Sequence, residues 1–284
     1  MKKKGNISKV LYKQRHHIIT TMILAVILVI LLLPFYWCLI LSFDKTAITD
    51  LPDFSLVPHE FSIQNYRYAN EMIDLGRYYM NKVMIAFVNT TIAVFFAMMC
   101  GYAFAKGNFR GKKFCFFFML AVMMIPFESR MVPLYLIYRS MGMLNTYVPL
   151  MMGSFAYVYG TFFARQNIGA IPDSLRESAK IDGAGEWRIF LRIILPLCKP
   201  VISALGILQI VANWNAYLWP MIVIRSKEKQ LISVGMAFFN ASESSMYYGP
   251  RFAVVVLSAF PLVIMYLFLQ KYIVQSVALS GVKQ

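Results

Sequence analysis

The groups with which this sequence could perform acid–base, metal or thiol chemistry are few: 13 Asp and Glu, three His and four Cys among 284 residues. Cys38, Cys100, Cys115 and Cys198 stand singly, with no CxxC pair and no His-Cys cluster, and read as small core residues. His16 and His17 adjoin basic residues, His59 stands apart, and neither arrangement has metal-ligand spacing. A phosphate-binding loop would read GxxxxGK(S/T), so that backbone amides surround the phosphates. The nearest approach, Gly107-Asn108-Phe109-Arg110-Gly111-Lys112-Lys113, is one residue short between its glycines and has no hydroxyl after the lysine, so it reads as a short basic turn. No GxSxG, HExxH or carboxylate-rich helix is present. The sequence thus predicts no catalytic residue, no metal site and no cofactor held by this chain.

Recognition chemistry is better represented. Asn213, Trp214, Asn215, Tyr217 and Trp219 fall within one long apolar stretch. Amides that donate and accept hydrogen bonds, beside flat rings that pack on C–H faces, suit a sugar. On a continuous helix from Pro200 they would lie roughly 20–28 Å along its axis. Asn213 and Tyr217 would then share one face, and Asn215 and Trp219 a neighbouring one. The competing readings are an aromatic belt at a membrane interface and amides that bridge helices. Glu128 and Arg130, flanked by Pro126 and Pro133, are the other polar pair in an apolar stretch. They read as a structural ion pair or an outer gate, with direct substrate contact as the alternative, and the prolines predict a break or kink there.

The elements that must position these residues are membrane helices. Hydrophobic residues make up 59% of the chain and charged ones 14%, against about 25% in a soluble domain. The runs 18–41, 83–105, 147–164, 200–224 and 252–270 contain no Asp, Glu, Lys or Arg, and 114–138 is interrupted only by Glu128 and Arg130. Each is 18 residues or longer, enough to cross about 30 Å of hydrocarbon as a helix, and too long and uniform for barrel strands. The expected fold is an all-α integral membrane domain of six transmembrane helices over 18–272. Residues 1–17 precede it, 165–199 form a loop between the fourth and fifth spans, and 273–284 form a tail. The first run is too long for a signal-peptide core and lacks a cleavage site, so it reads as an uncleaved helix.

The net charge of +15 would suggest nucleic acid in a soluble protein, but its distribution argues otherwise. With six spans, one side of the membrane carries 18 Lys and Arg against four acids, the other nine against eight. The basic excess marks the cytoplasmic face, places both termini there, and leaves a nucleic-acid partner without support.

The loop from Ile171 to Pro196 is amphipathic and punctuated. Pro172 suits a first helical turn, Ser174 and Glu177 have capping-box spacing, Gly183 and Gly185 supply a stop and a turn, and a second helix is predicted from about Glu186 to Leu195. On pattern alone this could be an amphipathic hairpin lying in the membrane interface. Glu177-Ser178-Ala179, three residues, Gly183, nine residues and Ile193-Ile194-Leu195-Pro196 resemble the EAA loop of ABC-importer permeases in every spacing, with Ser178 in place of alanine. The resemblance extends along most of the chain to carbohydrate-type, MalG-like permeases. It is carried by Phe61-Ser62-Ile63-Gln64-Asn65-Tyr66, Gly101-Tyr102-Ala103-Phe104-Ala105-Lys106, Ile181-Asp182-Gly183-Ala184, Trp214-Asn215-Ala216-Tyr217-Leu218-Trp219-Pro220 and Gln270-Lys271-Tyr272, while Ser276 and Ser280 depart from the usual glycines.

The resemblance implies a non-catalytic permease subunit in a prokaryotic cytoplasmic membrane, importing a sugar by alternating access. It implies as partners a second permease, two ATPase subunits that bind ATP and Mg, and an extracellular solute-binding protein. Glu177, Ser178, Ala179, Asp182, Gly183, Ala184, Leu195 and Pro196 would then couple to the ATPase. Two other classes compete. A secondary transporter or channel would be expected to carry coupling carboxylates within its spans, where only Glu128 is found. An intramembrane enzyme would need a nucleophile–base pair or metal set, and neither is visible.

Overall fold

The computed structural model describes residues 2–48, 50–239 and 247–281, with side chains over 18–48, 50–237, 239 and 247–267. Its elements are helical throughout, as apolar runs in a medium without hydrogen-bonding solvent require. The chain divides into two compact units, Met1–Met72 with Phe239–Leu257, and Ile73–Phe238 with Ser258–Gln284.

In the first unit, helix α1 (Lys2–Phe43) carries the first apolar run and continues through the segment expected to precede it. Leu24, Val29, Leu31 and Phe35 are each more than half exposed. Over residues 18–36 the helix is apolar on every side and packed on none, which suits it to lipid. Its last carbonyls have no partner within the helix. They are met by Asn65, fully buried in α2 (Gln64–Met72), whose Nδ2 donates to the carbonyls of Leu41, Ser42 and Asp44 at 3.1, 3.2 and 2.8 Å. Phe43 stacks on Phe61 with ring centroids 5.4 Å apart, and Ser42 Oγ lies 2.9 Å from Tyr66 Oη. The Phe61–Tyr66 segment is thus a clamp on the end of α1. Burial opposes ionisation of Asp44, but hydrogen bonds from the His59 and Thr46 amides and side chains outweigh it and hold the carboxyl well below the usual range.

The second unit is built around α3 (Leu75–Lys106), followed by α4 (Lys112–Met123), α5 (Phe127–Ser140), α6 (Val148–Met152) and α7 (Val158–Gly169). Ala93, Ala97 and Ala164 are at most 1% exposed, and a Cβ on Gly101 would collide with Ala164 and the Arg165 amide. Small residues here let α3 and α7 approach closely. Then come α8 (Asp173–Ile181), α9 (Glu186–Ile189), a π turn over Phe190–Ile194, α10 (Leu195–Leu197), α11 (Lys199–Asn215), α12 (Leu218–Val223), α13 (Ile232–Phe238) and, from Ser258 onward, the later part of α14 (Tyr248–Gly281), whose start up to Leu257 belongs to the first unit.

Several expected spans differ in outline. Three described helices are long and apolar enough to cross a membrane, Ile18–Phe43, Leu75–Lys106 and Tyr248–Leu267, and two bent pairs raise the number to five. The run 114–138 is bent by 100° between α4 and α5, where Pro126 withholds an N–H, while Pro133 is tolerated inside α5. The run 147–164 is divided into α6, a 3-10 turn over Gly153–Ala156 and α7, so it does not form one long helix. The run 200–224 is broken after Asn215. α3 starts at Leu75, eight residues before the run expected from Val83, and α14 reaches Gly281 through most of the expected tail; residues 282–284 lie outside the described residues.

Candidate functional site

The loop between α7 and α11 folds around Gly183. Its φ is +79°, in the left-handed region that favours glycine. The Ala184 amide donates to the Ala179 carbonyl at 2.9 Å and the Gly183 amide to Lys180 at 3.0 Å, the paired bonds of a Schellman turn. The predicted stop at Gly183 is therefore present. The predicted capping box is not. Pro172, with ψ 136°, holds the N-cap position, so Ser174 is already inside the first turn and no side chain caps the helix. The second predicted helix begins at Glu186 and runs through α9, the π turn and α10. The wide turn immediately precedes Pro196, which has no N–H to return to residue 192.

One face of α8 is tied to the end of α3. Lys106 Nζ pairs with Asp173 at 2.8 Å and donates to the Ile171 carbonyl at 2.6 Å. Glu186 receives Arg176 and Lys180 at 2.7 Å each, together with the Tyr102 hydroxyl. Arg176, Lys180 and Tyr102 together hold the Glu186 carboxyl down at about 2, and Lys106 lowers that of Asp173. Below this polar latch, Ala179, Ala184 and Leu195 pack on a core formed by Val94, Met98, Ala164, Ile168, Ile189 and Phe190. The rest of α8 and its C-cap is open: Glu177, Ser178 and Asp182 are exposed, and Ile181 is 87% exposed; Pro196, in α10, is exposed as well. A short rigid helix, bound to a long one by one face and presenting the other, can pass a push along the long helix.

The five residues singled out in 213–219 separate into two groups. Asn213 bridges helices, accepting from Asn89 Nδ2 at 3.3 Å and donating to Thr90 Oγ1 at 3.4 Å. Trp214 is buried, with Nε1 donating to the Ser258 carbonyl at 2.9 Å, and Trp219 Nε1 donates to Pro149 at the same distance. Asn215 and Tyr217 remain exposed, Tyr217 with its hydroxyl 3.0 Å from Met221 Sδ. The expected facial pairs Asn213–Tyr217 and Asn215–Trp219 are lost, because the backbone leaves helical geometry at Ala216 (ψ 122°) and Tyr217 (φ −130°).

Glu128 and Arg130 both lie at the start of α5 but form no ion pair with each other; the Arg130 guanidinium lies over the Phe127 ring, 5.9 Å from its centroid. The ion-pair reading is thus not met in this conformation, because on a regular helix residues two apart point to different sides.

Tyr102, Lys106, Lys82 and Asn89 were not singled out by pattern for the places they take. Tyr102 and Lys106 are spaced four apart at the end of α3, a spacing that puts them on one face, but nothing local to them names Glu186 or Asp173 as partners. Asn89 is 3% exposed and donates to the Leu150 carbonyl at 2.9 Å.

Residues 93–279 match the family model described as binding-protein-dependent transport system inner membrane component. The chain is 33% identical over 229 residues to the arabinooligosaccharides transport system permease protein AraQ of Halalkalibacterium halodurans, covering 80% of this chain and 81% of that one. It is 30% identical to the diacetylchitobiose uptake system permease protein NgcG of Streptomyces coelicolor, over 87% of this chain and 82% of that one. Among solved structures, a chain of a bacterial ABC transporter involved in the import of the acidic polysaccharide alginate superposes with a TM-score of 0.79, at 22% identity, over 91% of this chain and 96% of that one.

Proposed function

Since this chain belongs to the binding-protein-dependent transport system inner membrane components, the permease components of ABC importers, we propose that it carries a sugar or oligosaccharide by alternating access. The observation that carries the coupling half of this reading is α8 itself, turned by Gly183, latched to α3 through Lys106, Tyr102 and Glu186, and exposed on its other face. In this reading Glu177, Ser178, Ala179, Asp182, Gly183, Ala184, Leu195 and Pro196 form the element that an ATPase subunit moves. ATP and Mg belong to that subunit. A second, related permease completes the pathway, two ATPases drive it, and an extracellular solute-binding protein delivers cargo. The charge distribution supports cytoplasmic placement of α8 and both termini, in a bilayer crossed six times with 148–169 as the fourth pass.

The carbohydrate reading draws on relatives named for arabinooligosaccharides, diacetylchitobiose, lactose, and melibiose, raffinose and stachyose. Within this chain it draws on Asn215 and Tyr217, an amide and an aromatic ring left exposed where α11 ends. Trp214 and Trp219, with indole N–H groups spent on carbonyls, support that opening from behind, and Asn213 braces it against α3. In this reading Glu128 and Arg130, beside the bend of α4 into α5, act as an outer gate. The test is reconstitution with the partner permease, ATPase and binding protein in liposomes. Oligosaccharide uptake that requires both ATP and the binding protein is expected. Uptake by the chain alone would overturn the reading in favour of a secondary transporter or channel.

A further inference from the structure

Lys82 is the largest fully buried side chain of the described residues, 1% exposed, seven residues into the apolar helix α3. No carboxylate lies within ion-pair distance of it among the described residues. A cation at such a position is costly and is kept only where other groups satisfy it. Its Nζ donates to the Ala216 carbonyl at 2.7 Å and to Ser233 Oγ at 2.9 Å. Ser233 Oγ in turn donates to the same Ala216 carbonyl at 2.9 Å. The three groups close a triangle around one backbone oxygen.

That oxygen is singular for a reason written in the sequence. In a continuous helix the residue 216 carbonyl would accept from residue 220, and residue 220 is proline. Pro220 has no N–H to offer, and its ring would strike that carbonyl if the helix continued. The chain therefore leaves the helix at Ala216 and restarts at Leu218. A freed carbonyl in an apolar surrounding must find donors elsewhere. Lys82 and Ser233 are those donors, and the ammonium also faces the negative end of α11. Asn215 and Tyr217, the two exposed residues of the candidate cargo site, flank the atom that the triangle holds.

We propose that Lys82 is a positioning residue of the cargo site, holding the break that Pro220 makes in α11–α12 open so that Asn215 and Tyr217 face the pathway. The role of Lys82 at the break rests on geometry alone; its role in cargo binding rests also on the reading of Asn215 and Tyr217 as cargo-facing. The experiment separates the two. In the assembled transporter, with the native cysteines replaced, Asn215→Cys reports exposure of the break through its rate of maleimide labelling, and uptake in the cysteine-containing protein reports KM and maximal rate.

Lys82→Met removes the donors at nearly constant length. Labelling at Asn215→Cys should slow, and KM should rise, by about tenfold, as expected for a stranded buried carbonyl. Lys82→Arg, which keeps donors, should remain within about threefold of the parent on both readouts. If Lys82→Met fails to accumulate, adding Pro220→Ala should restore abundance, because a continuous helix bonds its own residue 216 carbonyl, but should not restore KM. Unchanged labelling in Lys82→Met, or no recovery of abundance in the double variant, overturns the proposal. Slowed labelling with unchanged KM, with Asn215→Ala and Tyr217→Ala also leaving KM unchanged, keeps Lys82 at the break but sinks the cargo-facing reading on which its positioning role depends.

Discussion

Glu177 touches nothing in its own chain strongly enough to explain its place in the loop: it is exposed, and the capping box with Ser174 is not formed. Arg176 just before it and Lys180 one turn on are spent inward, both on Glu186. Glu177→Ala should therefore leave helix α8, membrane abundance and pairing with the second permease unchanged. Co-purification of the ATPase and uptake should fall together, by about tenfold for loss of a charged hydrogen bond at an interface. A lowered membrane level of the variant would instead show that Glu177 stabilises this chain. The sequence pointed to Glu177 through spacing and through the resemblance; of the two roles open to it the capping box is not formed, because Pro172 occupies the N-cap and leaves Ser174 two positions inside the helix, and the contact with the ATPase is the one this variant tests. Asn215 shows the converse. Its neighbours Asn213, Trp214 and Trp219 have the same chemistry in one dimension, and only the break after it decides which amide is left free.

Among the elements, the latch between α8, α9 and α3 is the unit that would turn docking into movement. Exposed ion pairs are individually worth about 0–1 kcal/mol, so its value is geometric: Glu186 gathers Arg176, Lys180 and Tyr102 on one carboxylate and fixes two helices to a third. Glu186→Gln should leave the ATPase bound but raise the ATP hydrolysed per sugar imported, measured in proteoliposomes; an unchanged ratio would show that the latch transmits nothing. Acidity should not mimic the substitution. The Glu186 carboxyl is lowered from 4.5 to about 2, so its bonds are fully present above the ordinary value and are lost only as pH falls through about 2. Acidification from neutrality to about pH 5.5 leaves the latch made. The helices of this region were legible from Gly183 and the apolar runs, both local signals. The latch was not, because Tyr102 lies 84 residues from Glu186 in sequence. The bend at Pro126 was expected, whereas the break before Pro220 was not. Pro220 alone is compatible with a gentle kink, and the donor that stabilises a full break comes from Lys82, 134 residues from the Ala216 carbonyl it meets.

For the molecule as a whole, the permease family accounts for a chain with three long apolar helices and two bent apolar pairs among the described residues. The proposed orientation follows from 18 Lys and Arg on one side against nine on the other. Single cysteines near Asn65 and near Lys112, in a background without the native four, should be labelled by an impermeant reagent from outside only at the first site. Labelling near Lys112 from outside would reverse the topology and remove α8 from the cytoplasm. The most direct test of coupling is made at Gly183. A Cβ there meets nothing within 4 Å, so a substitution acts through the backbone alone. At φ +79° valine would be strained by about 1–3 kcal/mol, whereas asparagine adopts this conformation more readily. The measurement is uptake per assembled complex, with membrane level and bound ATPase determined in the same preparation. The account predicts that Gly183→Val inserts normally but loses ATPase docking or uptake, and that Gly183→Asn keeps most of both. Normal uptake by Gly183→Val at normal abundance would contradict it.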